Sequence, residues 1–197
     1  MTASGQLISS RHGSNLHTLT LVKKKRWGRT VYQCSCCGRT YDDVPLTFGS
    51  DRPDYYHSIP PDERTQRISL AESLCVVDAQ HFFHRGRLTI PIIAHHQNLI
   101  FDVWTSISED NFRTRNQLWN SPERMNEGPY FGWLQTTVPT YGNTINIKTV
   151  ATENEVGLIP SIHVIEEEHP LAIAQQNGIT FEKALQIAGS ILAGEHP

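Results

Sequence analysis

The chain has 197 residues, of which 38% are hydrophobic and 19% charged, a composition typical of one globular domain with or without an arm. Its longest apolar run, residues 88–94, has the length of a strand. It is much shorter than the roughly 20 apolar residues that a membrane-spanning helix needs. The formal charge of −3 hides an asymmetry, since residues 1–30 contain six basic and no acidic residues while the remainder contains 11 basic and 20 acidic ones.

This split predicts a basic, flexible N-terminal arm over residues 1–30 and a single domain over residues 31–197. The acidic domain favours cationic partners, although the same charge also serves simply to keep a domain soluble. KKKRWGR, residues 23–29, is typical of a solvated tail and less often of a nucleic-acid contact. The N-terminus lacks a signal-peptide pattern, so we expect a reducing cytoplasmic location.

The first elements of the predicted domain are short. TVYQC, residues 30–34, is a strand pattern that leads into a cysteine turn. Four prolines between residues 45 and 61 predict extended, irregular chain. Pro61 and the acidic residues after it predict the start of a helix over residues 61–73.

A period of two follows and predicts four strands. They are SLCVVD (73–78), HFFHRG (81–86), RLTIPIIA (87–94) and LIFDVWTSIS (99–108). Arg85 and Gly86 are the expected hairpin turn between the second and the third. Ser108 is a good N-cap, and it predicts a helix over residues 108–120.

The last third of the chain alternates strand and helix patterns. Residues 128–136 predict one strand, and residues 145–151 and 158–166 predict a hairpin. Two helices then follow, one from Pro170 to Gly178 and one capped by Thr180. The second helix is expected to bury Phe181, Leu185, Ala188 and Leu192. Strands in mid-chain with helices before, between and after them predict an α+β fold, with a mostly antiparallel sheet covered on one face by helices.

Eight motifs occur in a fixed order: CSCCG (34–38), PDYYHSIPPDER (53–64), SLCVVD (73–78), FFHRG (82–86), IPI (90–92), VWTSISEDNF (103–112), GWL (132–134) and HPLAIAQQNGI (169–179). Together they resemble the bacterial domain-of-unknown-function family 2199 over residues 32–197. The resemblance implies no catalytic residue. The family pattern has a histidine shortly after the cysteine turn, where this chain has Tyr41, and an aliphatic residue where it has His84.

The turn CSCCG contains three of the four cysteines, and Cys34 and Cys37 have the spacing of a zinc knuckle. The glycine that follows permits a tight turn, so two thiolates can bind one ion. A structural zinc site needs four ligands, so this pair is half of a site. Its remaining ligands would come from Cys36, Cys75, His57, His81 or His169. Small buried thiols are the equally good alternative, and a redox pair lacks the helix that would activate it.

The other polar motifs favour structure over chemistry. His81 and His84 would point to opposite faces of a strand and cannot share an ion there. His169 is expected to cap a helix or to act as a ligand, and Asp78 to bond to backbone or to Arg85. No nucleophile elbow, phosphate-binding loop or zinc-protease motif is present in the sequence.

Two functional hypotheses follow. In PDYYHSIPP and GPYFGW the neighbouring aromatic residues cannot all face inward, and exposed Tyr and Trp favour protein contacts. The leading hypothesis is therefore a non-enzymatic binding protein with a cationic protein partner, for example an immunity or antitoxin-type inhibitor. The alternative is a zinc-dependent enzyme with a site around Cys34 and Cys37. No membrane partner is expected, and nucleic acid is a less favoured partner than protein.

Overall fold

The structure, a computed structural model, describes residues 21–34 and 38–194. The strands are β1 (Leu21–Arg26), β2 (Arg29–Cys34), β3 (Thr40–Tyr41), β4 (Thr47–Gly49), β5 (Ile68–Leu70), β6 (Leu74–Val77), β7 (His81–Ile90), β8 (Leu99–Ile107), β9 (Tyr130–Trp133), β10 (Lys148–Thr152) and β11 (Ser161–Val164). The α-helices are α1 (Arg64–Arg67), α2 (Glu109–Gln117), α3 (Pro170–Asn177) and α4 (Phe181–Gly194), and 3-10 helices cover Asp54–Ser58 and Pro122–Asn126. No helix within these residues is long and apolar enough to cross a membrane.

The main sheet has the strand order β4-β8-β7-β11-β10-β9, and β6 and β5 extend it from the first half of β7. Strands β7 and β8 form its longest ladder, which is antiparallel from Phe82↔Ile107 to Ile90↔Leu99. The pairs β4–β8 and β7–β11 are parallel, and the other pairs within this sheet are antiparallel. The α+β prediction with a mostly antiparallel sheet is therefore confirmed.

The sheet curls until β9 meets β8. Leu134, just after β9, forms a β-bridge with Thr105 of β8, and the backbone N–H of Gln135 donates to the Trp104 carbonyl at 2.7 Å. Gly132 permits this contact, because a Cβ at that position would lie 2.0 Å from the carbonyl oxygen of Ser106. Strands β8, β7, β11, β10 and β9 thus close into a barrel-like ring, and the helices pack over its interior.

Alternation along β7 and β8 gives the ring two different faces. The interior row includes Leu88, Val103 and Ile162, which belong to one large apolar cluster with the buried residues of α3 and α4. The exterior row includes Phe83 and Trp104, which form a second, smaller cluster. Successive side chains of these two strands therefore point alternately to the interior and to the exterior of the ring.

The predicted boundary between arm and domain, at residues 30 and 31, falls inside an antiparallel hairpin. Its strands β1 and β2 pair from Leu21↔Cys34 to Arg26↔Arg29, and Trp27 and Gly28 make the turn with positive φ angles of 54° and 80°. The ring of Tyr32 packs edge-on against Phe181 of α4. Residues 1–20, which we predicted to lack regular structure, lie outside the described residues.

Two local predictions are wrong. Arg85 and Gly86 do not form a hairpin turn, because β7 runs unbroken through both of them. The turn lies earlier, at Asp78 and Ala79, which have φ angles of 54° and 52°. The carboxylate of Asp78 accepts hydrogen bonds from Arg67, at 2.6 Å from both Nε and Nη2, and does not pair with Arg85.

The helix predicted over residues 61–73 is also shorter than expected. Only Arg64–Arg67 is helical, and the next three residues form β5, which pairs with β6. Other helix ends follow their sequence signals: the hydroxyl of Ser108 caps α2, the ring of His169 caps α3, and Gly178 ends α3 with a φ of 74°. In α4, Ala188 and Leu192 are buried as predicted, whereas Phe181 and Leu185 are half-buried against the core.

Candidate functional site

The described residues on either side of residues 35–37 are joined by backbone hydrogen bonds. The N–H of Gly38 donates to the Cys34 carbonyl at 3.0 Å, and the N–H of Cys34 donates to the Arg39 carbonyl at 2.9 Å. Gly38 has a φ of +72°, which a residue with a side chain rarely adopts. Cys34 itself is buried at the end of β2, while Cys36 and Cys37 lie outside the described residues. The metal pair Cys34 and Cys37 therefore stays a prediction.

The structure describes four of the other proposed ligands. Cys75 is fully buried in the exterior cluster, where burial raises the pKa of its thiol to about 11, while Cys34 belongs to the interior cluster. His57 and His81 are exposed, and His169 uses its Nδ1 to accept from the N–H of Leu171. Within residues 21–34 and 38–194 no three or more His, Cys, Asp or Glu side chains are placed to hold a metal ion.

A buried ionic cluster at one end of the ring was missed by sequence analysis. Glu153, just after β10, accepts from the Nε of Arg115 at 2.7 Å and from the Nε of Arg124 at 3.0 Å. A second bond joins Arg124 Nη2 to the same carboxylate, and both guanidinium groups lie over the ring of Trp119. All three charged side chains are almost completely buried. The two arginines share one counter-ion, and the terminal nitrogens of Arg115 bond to no described residue.

Neutral polar groups line the interior beside this cluster. His84 of β7 and Thr105 of β8 are cross-strand neighbours, and the ring of Tyr130 lies 6.4 Å from that of His84. Burial lowers the pKa of His84 well below its ordinary value, and the Arg115 cation adds to the effect. His84 is therefore neutral in the folded protein. The charged groups of this cluster are therefore buried beside uncharged polar groups, and they bear on the stability of the fold.

The exposed side of β9, β10 and β11 carries several large hydrophobic side chains. We call it the outer sheet face and define it by Phe131, Trp133, Val150, His163 and Ile165. Phe131 pairs with Val150, and Val150 with His163, so these three form one cross-strand row. Trp133 and Ile165 flank Lys148 in the next row. Phe131 is 47% exposed, Trp133 40% and Ile165 45%, and the two aromatic rings pack edge-on at 5.4 Å.

Acidic residues and a groove border this face. Glu166, Glu167 and Glu168 follow Ile165, the first residue after β11, and Glu166 accepts a hydrogen bond from the backbone N–H of Lys148 at 2.8 Å. A groove of about 460 Å³ runs between β11 and α3 and is lined by His163, Ile165 and Glu167, among others. The expectation that GPYFGW exposes some of its aromatic residues is confirmed for Phe131 and Trp133, whereas Tyr130 is buried.

The model of the family DUF2199, described as an uncharacterized protein conserved in bacteria, matches residues 33–179. The chain belongs to this family. The DUF2199 match takes in the cysteine turn, the buried ionic cluster and the outer sheet face, and it ends just before α4. No curated protein and no solved structure matches the chain.

Proposed function

We propose that this DUF2199 protein is a cytoplasmic, non-enzymatic binding domain that holds a cationic protein partner on its outer sheet face. The observation that carries the proposal is the cross-strand row of Phe131, Val150 and His163, in which Phe131 and His163 are exposed and Val150 is half-buried, with the exposed Trp133 beside it. The solvent-facing side of an antiparallel sheet is ordinarily polar, and a contiguous apolar patch marks an interaction site. An immunity or antitoxin-type inhibitor of a basic toxin or nuclease is one concrete form of this role.

The chemistry of the face fits such a partner. Tyr, Trp and Phe are enriched at the centre of protein interfaces. Truncating a residue that carries much of the binding energy, often a Trp or a Tyr, costs about 2 kcal/mol or more, or about 30-fold in Kd. The acidic residues 166–168 lie at the border, where charge contributes mainly to the rate and selectivity of association. The excess of acidic residues in the chain beyond residue 30 acts in the same direction.

The experiment is partner capture from native bacterial cells with the wild-type chain and a Phe131→Thr, Trp133→Thr variant. Threonine retains the β propensity of these exposed positions, so the variant should fold as the wild type does. We expect the wild type to recover a basic protein in stoichiometric amount, the variant to lose it, and high salt to weaken it. Trp27→Ser is the matched control, because Trp27 is 93% exposed but lies on the β1–β2 turn.

Two results would contradict the proposal. One is a wild-type capture that yields no stoichiometric partner. The other is a partner that binds the double variant with unchanged Kd, which would show that it contacts another surface.

The zinc-dependent enzyme with a site around Cys34 and Cys37 is the second candidate. The observation that favours it is the hydrogen bond from the Gly38 N–H to the Cys34 carbonyl, which brings the two ends of the CSCCG sequence close together, and two thiolates of a CxxC sequence need such closeness to bind one ion. The first test is the zinc content of freshly purified protein.

A further inference from the structure

A cleft of about 360 Å³ opens on the exterior of the ring, beside β7 and β8 and the connection between β10 and β11. Its walls include Arg85, Arg87 and Asp102 on one side and Asn154, Leu158 and Ile159 on the other. The volume is in the range of small-ligand sites, and the lining combines apolar side chains with a few polar groups, as such sites do.

Asp102 is already fully engaged by Arg87. Arg87 Nε donates to one carboxylate oxygen at 2.8 Å, and Arg87 Nη2 donates to the other at 3.1 Å. This fork geometry holds both side chains in a fixed orientation. It leaves Nη1 of Arg87 without a bond to any described residue.

Arg85 has no such partner. Its side chain is only 21% exposed, yet it donates no hydrogen bond to any residue that the structure describes, and its Nε is buried. The nearest carboxylate oxygen, on Asp102, is 4.0 Å from Arg85 Nη2. Gly49 makes room for this guanidinium, since a Cβ there would lie 2.9 Å from Arg85 Nη2. A largely buried cation with unused donors is unfavourable unless an acceptor reaches it.

We propose that this cleft binds a small oxyanion, the carboxylate or phosphate group of a small molecule, through Arg85 and the free Nη1 of Arg87. The guanidinium fork matches both groups, which accept two parallel hydrogen bonds. Two arginines face one carboxylate at this wall, so the wall itself carries a positive charge, whereas the exposed carboxylate of Glu72 lies elsewhere in the lining. Leu158 and Ile159 would contact a short apolar part of the ligand.

The test measures binding of inorganic phosphate and of succinate to the full chain by NMR of the arginine Nε–Hε groups, against sodium chloride at equal ionic strength. We expect at least one probe to shift the Arg85 signal and to raise the Tm of the wild type. Phosphate binding alone assigns a phosphate ligand, succinate binding alone a carboxylate ligand, and binding of both a general oxyanion site. If neither probe has an effect beyond that of chloride, the proposal is wrong.

Variants of Arg85 make the test specific. Arg85→Met should weaken binding by about tenfold or more. Without ligand its Tm should be equal to or above that of the wild type, because the cation removed is largely buried, its side chain donates no hydrogen bond to a described residue, and its ion pair with Asp102 is long at 4.0 Å. Arg85→Lys should bind weakly, since an ammonium keeps the charge but lacks the fork. Arg113→Met is the matched control, because Arg113 is an exposed arginine on α2. Unchanged affinity in Arg85→Met would overturn the proposal.

Partner capture by the outer sheet face should be unaffected by Arg85→Met, so the two proposals succeed or fail separately.

Discussion

Replacing Glu153 by glutamine is the sharpest test of how the interior is held together. The side chain of Glu153 is 1% exposed and is the shared counter-ion of Arg115 and Arg124. Glutamine keeps the size of the side chain but removes the negative charge, and its amide group would direct a donor at one of the guanidinium groups. Two cations would then remain in a largely anhydrous environment with no charge to balance them.

The expected loss is large on the scale of protein stability. Removing one partner of a buried ion pair costs about 3–5 kcal/mol, because the charge left behind stays desolvated. The free energy of unfolding of an ordinary domain is only about 5–15 kcal/mol. With a urea slope of about 2 kcal/mol per M, the midpoint of unfolding should fall by roughly 2 M.

Urea denaturation followed by tryptophan fluorescence measures this loss. Glu109→Gln is the control, since Glu109 makes an exposed pair with Arg113 and its loss should leave the midpoint unchanged. A triple variant with Arg115→Met, Arg124→Met and Glu153→Met should be more stable than Glu153→Gln, because no buried charge remains unpaired. If Glu153→Gln costs less than about 1 kcal/mol, or the triple variant is the least stable, our reasoning about this cluster is wrong.

Three further outcomes are expected. His84 is neutral in the folded protein but has an ordinary pKa of about 6.5 in the unfolded chain. The free energy of unfolding should therefore fall as the pH drops below about 6.5, by up to about 1.4 kcal/mol per pH unit. His84→Leu should flatten this slope. Gly132→Ala should lower the free energy of unfolding by about 1–3 kcal/mol or more, because its Cβ would collide with the Ser106 carbonyl. If the cysteine turn holds zinc, elemental analysis should find about one zinc per chain, and Cys34→Ser with Cys37→Ser should abolish it.

Matched variants separate these effects from general damage. His57→Leu replaces an exposed histidine and is the matched control for His84→Leu. Gly128→Ala should be neutral, since nothing lies near the added Cβ. An unaltered pH slope in His84→Leu, a stable Gly132→Ala protein, or zinc that remains after both cysteines are replaced would contradict the respective prediction.

Local patterns were sufficient wherever the physical cause is itself local. A hydroxyl at Ser108 satisfies the first free N–H groups of α2, and Gly178 adopts the positive φ that ends α3, so the caps were predictable from single residues. Alternation in GPYFGW was predictive because neighbouring residues of a strand face opposite sides. The same alternation indicates that part of its aromatic surface is exposed to solvent.

The local structures that were predicted wrongly depend on pairing between strands. Gly86 suggested a turn, but it is a glycine because Ile162 of β11 packs 2.5 Å from where its Cβ would be. Residues 68–70 follow a helical pattern, yet they form a strand because β6 offers them a ladder of hydrogen bonds.

The composition, the helix caps and the strand alternation determined the α+β class and most element positions. These signals come from residues that are close together in the sequence. The buried Arg115–Glu153 contact joins residues 38 positions apart, and the Arg85 cleft joins β7 to a distant connection. Only closure of the ring brings those groups together, since whether a charge is buried, paired or exposed depends on which strands become neighbours.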